Sequence, residues 1–451
     1  MGTPTVEGVA RPAVAEAAEV TRLVRGLRWI ARSAVRTFYS SVEATGLENV
    51  DPARPTLYAP THPNSIIDPL LVALFEERPI CFVARDGLFD VPVFGAVLRA
   101  VGAIPVARRS DHAGEDVDHG AMFSACREAL ASGKVLVLFP EGKTHGRLRV
   151  ERLKTGLARI ALDAPPDTQI IPIGLNYLVR HAFRSDVHVA FGEPIAPTGT
   201  VAELTERVAD TLRRLTVHIE REDDERLIAQ VTAMMAEVRA HEGLDQEASP
   251  ADRVALAQRV VDAYRWLGER DPERTATLRA RIQALLEERA ELGLGGERPA
   301  LQHRGERRIA RRWADDPVTF VLGAPVALYG IVNNALPYLA LRVLLGIAPP
   351  SFYRGALVRL GGGLAIFALA YAAQTAVVAT YAPALAPLYA LSLVPSAFFA
   401  RRYLAELRLH RVGPRRLFRM VKHRGRLAYL RAERDDLAAE LAELRREYLA
   451  R

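Results

Sequence analysis

The residues best suited to chemistry gather early in the chain. In "THPNSIIDP" a histidine and an aspartate, His62 and Asp68, flank a short polar break inside an apolar run. An imidazole whose Nδ1–H is held by a carboxylate keeps its other nitrogen available to take a proton from a hydroxyl, as a general base does. Pro63 is excluded from a helix interior but suits its entry, and Asn64 or Ser65 can cap it. His62 is therefore expected in a loop just ahead of a helix, with Asp68 on the first turns. Six positions apart, the two do not share a helix face, so they meet only if the loop at Pro63 bends back. Alone, the pair fits helix capping as readily as catalysis.

Three later stretches add polar groups to the ends of apolar runs. "VGAIPVARRSD" delivers Arg108 and Arg109 where a strand should stop, and an arginine fork suits a phosphate. "VLVLFPEGKTHG" runs an apolar strand into Pro140, Glu141 and Gly142, a turn whose backbone N–H groups could face an anion. Lys143, Arg147, Arg149 and Lys154 crowd the same loop, and three of the chain's four lysines fall between residues 134 and 154. "IIPIGLNY" carries Pro172, which marks a strand as an edge or a bulge.

Several elements must position these groups. "PTLYAP", "ICFVAR", "AIPVAR", "VLVLFPEG", "IIPIGLNY" and "VHVAFGEPI" read as buried strands. Helical patterns lie between them, at 121–131 and 154–162 for example, so residues 41–200 are expected to form an α/β domain. Residues 18–39 alternate apolar and arginine positions at helical spacing, with Trp29 among them. That suits a membrane-interface helix within 1–40, or packing on a protein core. Residues 201–315 read as charged helices at 201–241, 252–267 and 272–292, without a catalytic constellation.

The rest of the chain points to a bilayer. Residues 360–400 hold 41 positions without a charge, and 318–341 another 24. About 20 apolar residues cross a membrane as a helix. Asn333, Asn334 and Pro337 suggest that the first of these segments is broken or re-entrant, and Pro383 and Pro387 suggest that the second is a hairpin. Residues 316–400 are thus expected to be membrane-embedded. Residues 401–451 carry 15 Lys or Arg against 7 Asp or Glu, a basic tail beside an apolar run that favours the cytosolic face and anionic lipid over nucleic acid. Leu437, Leu441 and Leu444 offer a helix face through which the chain could form a homo-oligomer. Two cysteines, Cys81 and Cys126, give no disulfide framework, so a reducing compartment is expected. The opening residues show neither a secretory h-region nor a myristoylation pattern.

Taken together and in order, the four motifs resemble those of the glycerolipid acyltransferases, the family of glycerol-3-phosphate and 1-acylglycerol-3-phosphate acyltransferases. The first motif of that family separates His and Asp by four residues; here five intervene, "PNSII", as in a branch with an "HPNSLLDP" type of motif that includes fungal glycerol-3-phosphate/dihydroxyacetone-phosphate acyltransferases and bacterial relatives. Gly102–Arg108 resembles the second motif, Phe139–Thr144 the third and Ile171–Gly174 the fourth, and "FRSDVHVAFGEPI" is similar to the same branch. The resemblance covers roughly residues 20–200 and implies a glycerol-3-phosphate acyltransferase-like α/β catalytic domain. It implies acyl transfer from acyl-CoA or acyl-carrier protein to a glycerophosphate hydroxyl, with no cofactor beyond that co-substrate and no metal. It makes His62 the general base, Asp68 its orienting carboxylate and Arg108 a phosphate ligand, with Glu141 and Gly142 shaping the acceptor site beside Thr144. The residues themselves add Lys143, Arg147 and Lys154 as anion contacts. A remodelling enzyme for another lysophospholipid, or an inactive membrane scaffold, are the competing readings. No Gly-x-Ser-x-Gly turn is present for a serine hydrolase.

Overall fold

The structure is a computed structural model that describes residues 38–91, 94–107, 119–178, 185–241, 248–291, 317–347, 362–401 and 424–450, with parts of 25–36 and residues 403–404. It divides into two compact units, residues 1–281 with 441–451, and residues 282–440.

In the first unit, the β-branched and aliphatic runs pair into one sheet. Its strands are β1 (Ser41–Thr45), β2 (Thr56–Pro60), β3 (Ile80–Arg85), β4 (Ile104–Val106), β5 (Val135–Val137), β6 (Gln169–Tyr177) and β7 (Asp186–Phe191), in the order β1-β7-β6-β2-β5-β3-β4. Every described pairing is parallel except β6 with β7. Helices α1 (Ile67–Leu74), α2 (Phe94–Ala100), α3 (Gly120–Ala131), α4 (Gly156–Leu162) and α5 (Val201–Leu215) connect or follow the strands. Alternation along the strands sends side chains to two cores. Leu57, Leu136 and Ile170 join α3, α4 and α5 on one face; Tyr58, Val137, Ile171 and Ile173 join α1 and Tyr39 on the other. This is the doubly covered parallel sheet that βαβ crossovers produce.

Two expectations are corrected here. β1, "SVEAT", was not foreseen: it is five residues long and carries Glu43 at its centre. Pro172 does not mark an edge, because β6 lies between β7 and β2, but it does sit at a bulge: between Ile173↔Phe191 and Ile170↔Ile195 two residues of β6 face three, 192–194. Its carbonyl accepts from the Gly192 N–H at 2.9 Å, so its nitrogen also faces β7. That side of the ladder stops at Ile173↔Phe191 and returns only as the bridge Ile170↔Ile195. The missing donor falls in the gap, where none is needed.

The charged region folds as helices α6 (Glu222–His241), α7 (Pro250–Arg270) and α8 (Pro272–Glu291). The single helix expected over 201–241 is two, broken at residues 216–221. Thr200 and Glu203 cap each other's backbone at the start of α5, and Ser249 and Asp252 do so at α7, where Pro250 follows the cap. The N-terminal helical residues pack on the core of the sheet: Val35 and Tyr39 are buried with α1, and Arg28 donates to the carbonyls of Glu77 and Arg78 at 2.9 and 3.1 Å. Trp29 stays 70 % exposed. Residues 1–24 lie outside the described part.

The leucine face near the C-terminus is covered within the chain. In α11 (Arg424–Leu449), Leu437 and Leu444 are buried, and Leu441, which belongs to the first unit, packs on the cluster of Ile219, Ile228, Met235 and Val260 of that unit. These side chains are therefore not free to join a second copy, contrary to the oligomer expectation.

The second unit is built on apolar helices. α9 (Pro317–Ile347) and α10 (Gly363–Tyr381) precede a third apolar helix that begins at Pro383, and α11 starts at Arg424. By length and composition, Gly323–Leu344 and Pro383–Arg401 can each cross a bilayer; Ala365–Tyr381 is a shorter apolar helix. The turn after α10 falls at Ala382 and Pro383, as expected for a hairpin.

α9 is continuous through Pro325 and Pro337, not broken. Pro337 has no N–H for the carbonyl four residues back, at Asn333. Gln374 Nε2 donates to that carbonyl instead, at 2.9 Å. Asn333 and Asn334 turn their own amide groups onto Tyr329 O and Gly330 O, each at 2.8 Å. Their Oδ1 atoms accept from Tyr389 and Tyr371, each at 2.5 Å. Neighbouring helices thus satisfy what proline and asparagine would otherwise leave exposed in an apolar setting.

One titration follows from the first unit. His188 Nε2 lies 2.9 Å from Thr45 Oγ1, and burial lowers its pKa against a smaller opposing pull from Glu43. The unfolded chain then binds a proton below about pH 6.5 that the folded chain refuses. Stability should fall as pH drops from 7.5 to 5.5, and His188→Gln should shrink that fall; thermal unfolding at the two values checks it.

Candidate active site

The parallel strands leave their carboxyl ends together, where ligands of open α/β sheets bind. β2, β5 and β6 are neighbours in the sheet. His62 follows β2, the Phe139–Glu141 turn follows β5, and Tyr177 ends β6. Thr61 fixes the exit of β2: its N–H donates to Ile173 O, and its Oγ1 accepts from the Leu175 N–H, both at 3.0 Å.

The loop does bend back. Ser65 takes a left-handed φ of 52°, and the N–H groups of Ile67 and Asp68 return to the carbonyls of Asn64 and Ser65, each at 3.2 Å. That turn absorbs the fifth intervening residue and brings His62 Nδ1 to 2.8 Å from Asp68 Oδ2. Left-handed backbone costs a non-glycine residue about 1–2 kcal/mol, and a β-branched residue more. Ser65→Val should therefore lose activity, while Ser65→Gly and Ser65→Asn retain it. A turnover measurement that found the valine variant equal to the parent would contradict the importance of this turn.

Asp68 is fully buried, and His62 is 17 % exposed. Two further donors hold the carboxylate: the Asn64 N–H reaches Oδ2 at 2.7 Å, and the Tyr177 hydroxyl donates to Oδ1. Burial, then the Asp68 charge, pushes the Tyr177 pKa well up, so it stays a donor. Tyr39 is raised by the same two causes in the same order, and its hydroxyl accepts from Asn64 Nδ2 at 3.2 Å. A carboxylate that accepts Nδ1–H fixes the His62 tautomer with Nε2 as the basic nitrogen. No described residue bonds to Nε2. Phe139 stacks on the imidazole, ring centroids 4.1 Å apart and planes at 28°, which limits its rotation.

Glu141 is buried and braces this arrangement. Oε1 accepts the His62 backbone N–H at 3.3 Å, and Oε2 accepts from His145 Nε2. The His145 N–H returns to His62 O at 3.4 Å. Gly142 has a φ of 67°, and a Cβ there would lie 3.2 Å from Lys154 Cγ. The Lys154 N–H donates to Pro140 O at 2.7 Å, so the lysine backbone is fastened to the motif turn. Thr144 is buried in the same loop.

The cations differ from one another. Lys143 Nζ is 4.0 Å from Glu151, and Arg147 lies 3.7 Å from Glu151 and 3.3 Å from Glu222. Burial opposes the charge on Glu151, but Arg149 and the other cations outweigh it and lower its pKa. Lys143 and Arg147 thus already face carboxylates. Among the described residues, no carboxylate pairs with Lys154. Arg108 and Arg109 lie outside the described residues.

The sequence reading missed Tyr177 and His145 as site residues. Both stood inside motifs it had quoted, Tyr177 at the end of "IIPIGLNY" and His145 in "FPEGKTHG". Their partners are 109 and four positions away respectively.

With this geometry in view, the comparisons identify one domain of the chain. Residues 41–176 match the family model described as Acyltransferase. The chain carries an acyltransferase-family domain. This domain resembles glycerol-3-phosphate O-acyltransferase 1 of Saccharomyces cerevisiae, 40 % identical over 84 residues, 18 % of this chain and 11 % of that protein. It also resembles a chloroplastic 1-acyl-sn-glycerol-3-phosphate acyltransferase of Arabidopsis thaliana, 26 % identical over 168 residues, 35 % of this chain and 44 % of that one. The matches therefore span less than half of these relatives' own length. Among solved structures, the 1-acyl-sn-glycerophosphate acyltransferase of Thermotoga maritima aligns with a TM-score of 0.36 and 19 % identity, over 46 % of this chain and 82 % of that one. The matched residues end on β6; the first and third motifs lie in the loops that follow β2 and β5, and the fourth lies within β6.

Proposed function

We propose that the protein transfers an acyl group from a thioester, acyl-CoA or acyl-carrier protein, to a hydroxyl of glycerol 3-phosphate or lysophosphatidic acid. The observation that carries this reading is the 2.8 Å contact of His62 Nδ1 with a fully buried Asp68 that two more donors hold in place. His62 Nε2 takes the acceptor's hydroxyl proton as the oxygen attacks the thioester carbonyl. The tetrahedral intermediate collapses, the C–S bond breaks, and the thiolate leaves with the proton that His62 returns. Asp68 keeps the tautomer and steadies the imidazolium while it lasts. Glu141 has both oxygens engaged and acts by positioning the His62 backbone.

Lys154 is the cation best placed to meet the acceptor's phosphate, with Arg108, Lys143 and Arg147 as further contacts. A charge-assisted hydrogen bond contributes about 1.5–3 kcal/mol, so Lys154→Ala should raise the acceptor KM by roughly tenfold or more, with a smaller change in kcat. Initial rates against acceptor concentration test this.

The apolar helices would hold the catalytic domain at its lipid substrate, and the basic flanks favour the cytoplasmic face. An acceptor competition tests the reading as a whole. Glycerol 3-phosphate or lysophosphatidic acid should be consumed ahead of a phosphodiester lysophospholipid. Preference for the diester would shift the assignment to lysophospholipid remodelling.

A further inference from the structure

Beyond the catalytic loop, the first unit contains a cavity of about 890 Å³ that the acyl-transfer steps above do not use. Arg149 and Arg152 line it from the loop before α4, Arg213 and Arg214 from the end of α5, and Arg265 from α7; His218 faces it from the break between α5 and α6. Three carboxylates, Glu151, Glu220 and Asp262, share the lining, so five fixed positive charges meet three negative ones. The pairing is uneven. Arg149 is bound to Glu151 at 3.0 Å, Arg265 lies 3.8 Å from Asp262, and Arg213 bonds Glu206 and Asp210 at 2.8 and 2.6 Å. Among the described residues, the Arg214 guanidinium reaches only the Thr211 hydroxyl, at 3.0 Å. Among the described residues, no carboxylate pairs with Arg152 or Arg214.

His218 reports the local field. Its Nδ1 accepts the Val150 N–H at 3.0 Å, which leaves Nε2–H as a neutral donor. Burial lowers its pKa first, and Arg213, Arg265 and Arg149 lower it further against Glu220. A concave site of a few hundred to a thousand Å³ suits a small molecule more than a flat macromolecular surface, and unpaired guanidinium forks suit phosphate.

The cavity is also tied to the catalytic loop. Arg149 stands four residues after His145, within about 14 Å of extended chain. The wall between them is pinned, with the Ile219 N–H on Leu148 O at 2.6 Å and the Leu148 N–H on Glu225 at 2.8 Å.

We propose that this arginine-lined cavity seats the phosphorylated nucleotide end of the acyl donor, so that the donor is a coenzyme A thioester whose pantetheine arm runs from the cavity toward His62. This rests on the acyl-transfer reading of the site. Val150 and Val261 supply apolar surface beside the charges, as an adenine ring would require.

Calorimetry on the full-length protein in detergent tests the binding, with coenzyme A, adenosine 3′,5′-bisphosphate and phosphate-free pantetheine as probes. The parent should bind the first two and not the third, and Arg152→Ala/Arg214→Ala should weaken both by tenfold or more. In turnover, the ratio of kcat/KM for acyl-CoA to that for S-acyl-pantetheine should fall by tenfold or more in the same variant. Coenzyme A binding no tighter than pantetheine overturns the proposal and points to acyl-carrier protein as the donor; a variant with unchanged affinity overturns it by placing the nucleotide away from this cavity. Nucleotide binding that is lost in the variant, from a parent that transfers no acyl group, would support the cavity and overturn the acyl-transfer reading instead. The double variant's thermal unfolding midpoint separates lost binding from lost fold, and Arg152→Lys/Arg214→Lys should restore part of the affinity.

Discussion

His62→Ala should lower kcat for acyl transfer by about 10²–10⁴-fold, the usual contribution of a positioned general base, with little change in acceptor KM. The imidazole is the one described group at the carboxyl end of β2 with an uncommitted basic nitrogen. Its other nitrogen is held by Asp68 at 2.8 Å, and its face is covered by Phe139. Removing it takes away proton transfer without touching the phosphate-binding cations. The fold should survive, because the His62 backbone links to Glu141 and His145 use main-chain atoms. Rates with saturating donor, beside a thermal unfolding curve for each protein, measure both parts. A variant within a few-fold of the parent would remove His62 from the chemistry.

Asp68→Asn should be nearly as severe, again about 10²–10⁴-fold in kcat, although it changes neither size nor shape. The carboxylate accepts three donors: His62 Nδ1–H and the Asn64 N–H on Oδ2, and the Tyr177 hydroxyl on Oδ1. An asparagine has one oxygen and one NH₂ group. If the oxygen replaces Oδ2, the NH₂ group opposes the Tyr177 hydroxyl. If it replaces Oδ1, the NH₂ group opposes both the Asn64 N–H and His62, and the imidazole must then accept at Nδ1. That places its hydrogen on Nε2, where it cannot act as a base. Tyr177→Phe in the Asp68→Asn background relieves the first conflict and should recover part of the rate. If the double variant is slower than Asp68→Asn alone, the tautomer account fails.

How much of this was legible depended on distance along the chain. His62, Asp68, Glu141 and Gly142 could be read because each belongs to a short motif whose parts contact one another locally. The role of Tyr177 depends on a contact across 109 positions, which no local pattern encodes. His145 was passed over because a histidine after a Pro-Glu-Gly turn has no meaning until Glu141 is known to be buried beside it. The strands of the sheet followed from their apolar runs, except β1, whose central glutamate reads as surface.

Pro337 misled as a helix break, and Pro172 as an edge though not as a bulge, for one physical reason. Sequence shows that a donor is missing but not whether anything waits for it. At Pro172 the β7 ladder has a gap, and at Pro337 the stranded carbonyl is met by Gln374 from another helix. The leucines of α11 erred the other way: an apolar stripe does not say whether its cover is a second copy or the same chain.

The most direct test of the central claim is a labelled acyl-transfer assay on detergent-purified protein, parent beside His62→Ala, with glycerol 3-phosphate and lysophosphatidic acid offered separately. The account predicts labelled product from the parent with a phosphate-monoester acceptor and none above background from the variant. No product with either acceptor from acyl-CoA or acyl-carrier protein donors, or equal product from both proteins, would contradict it.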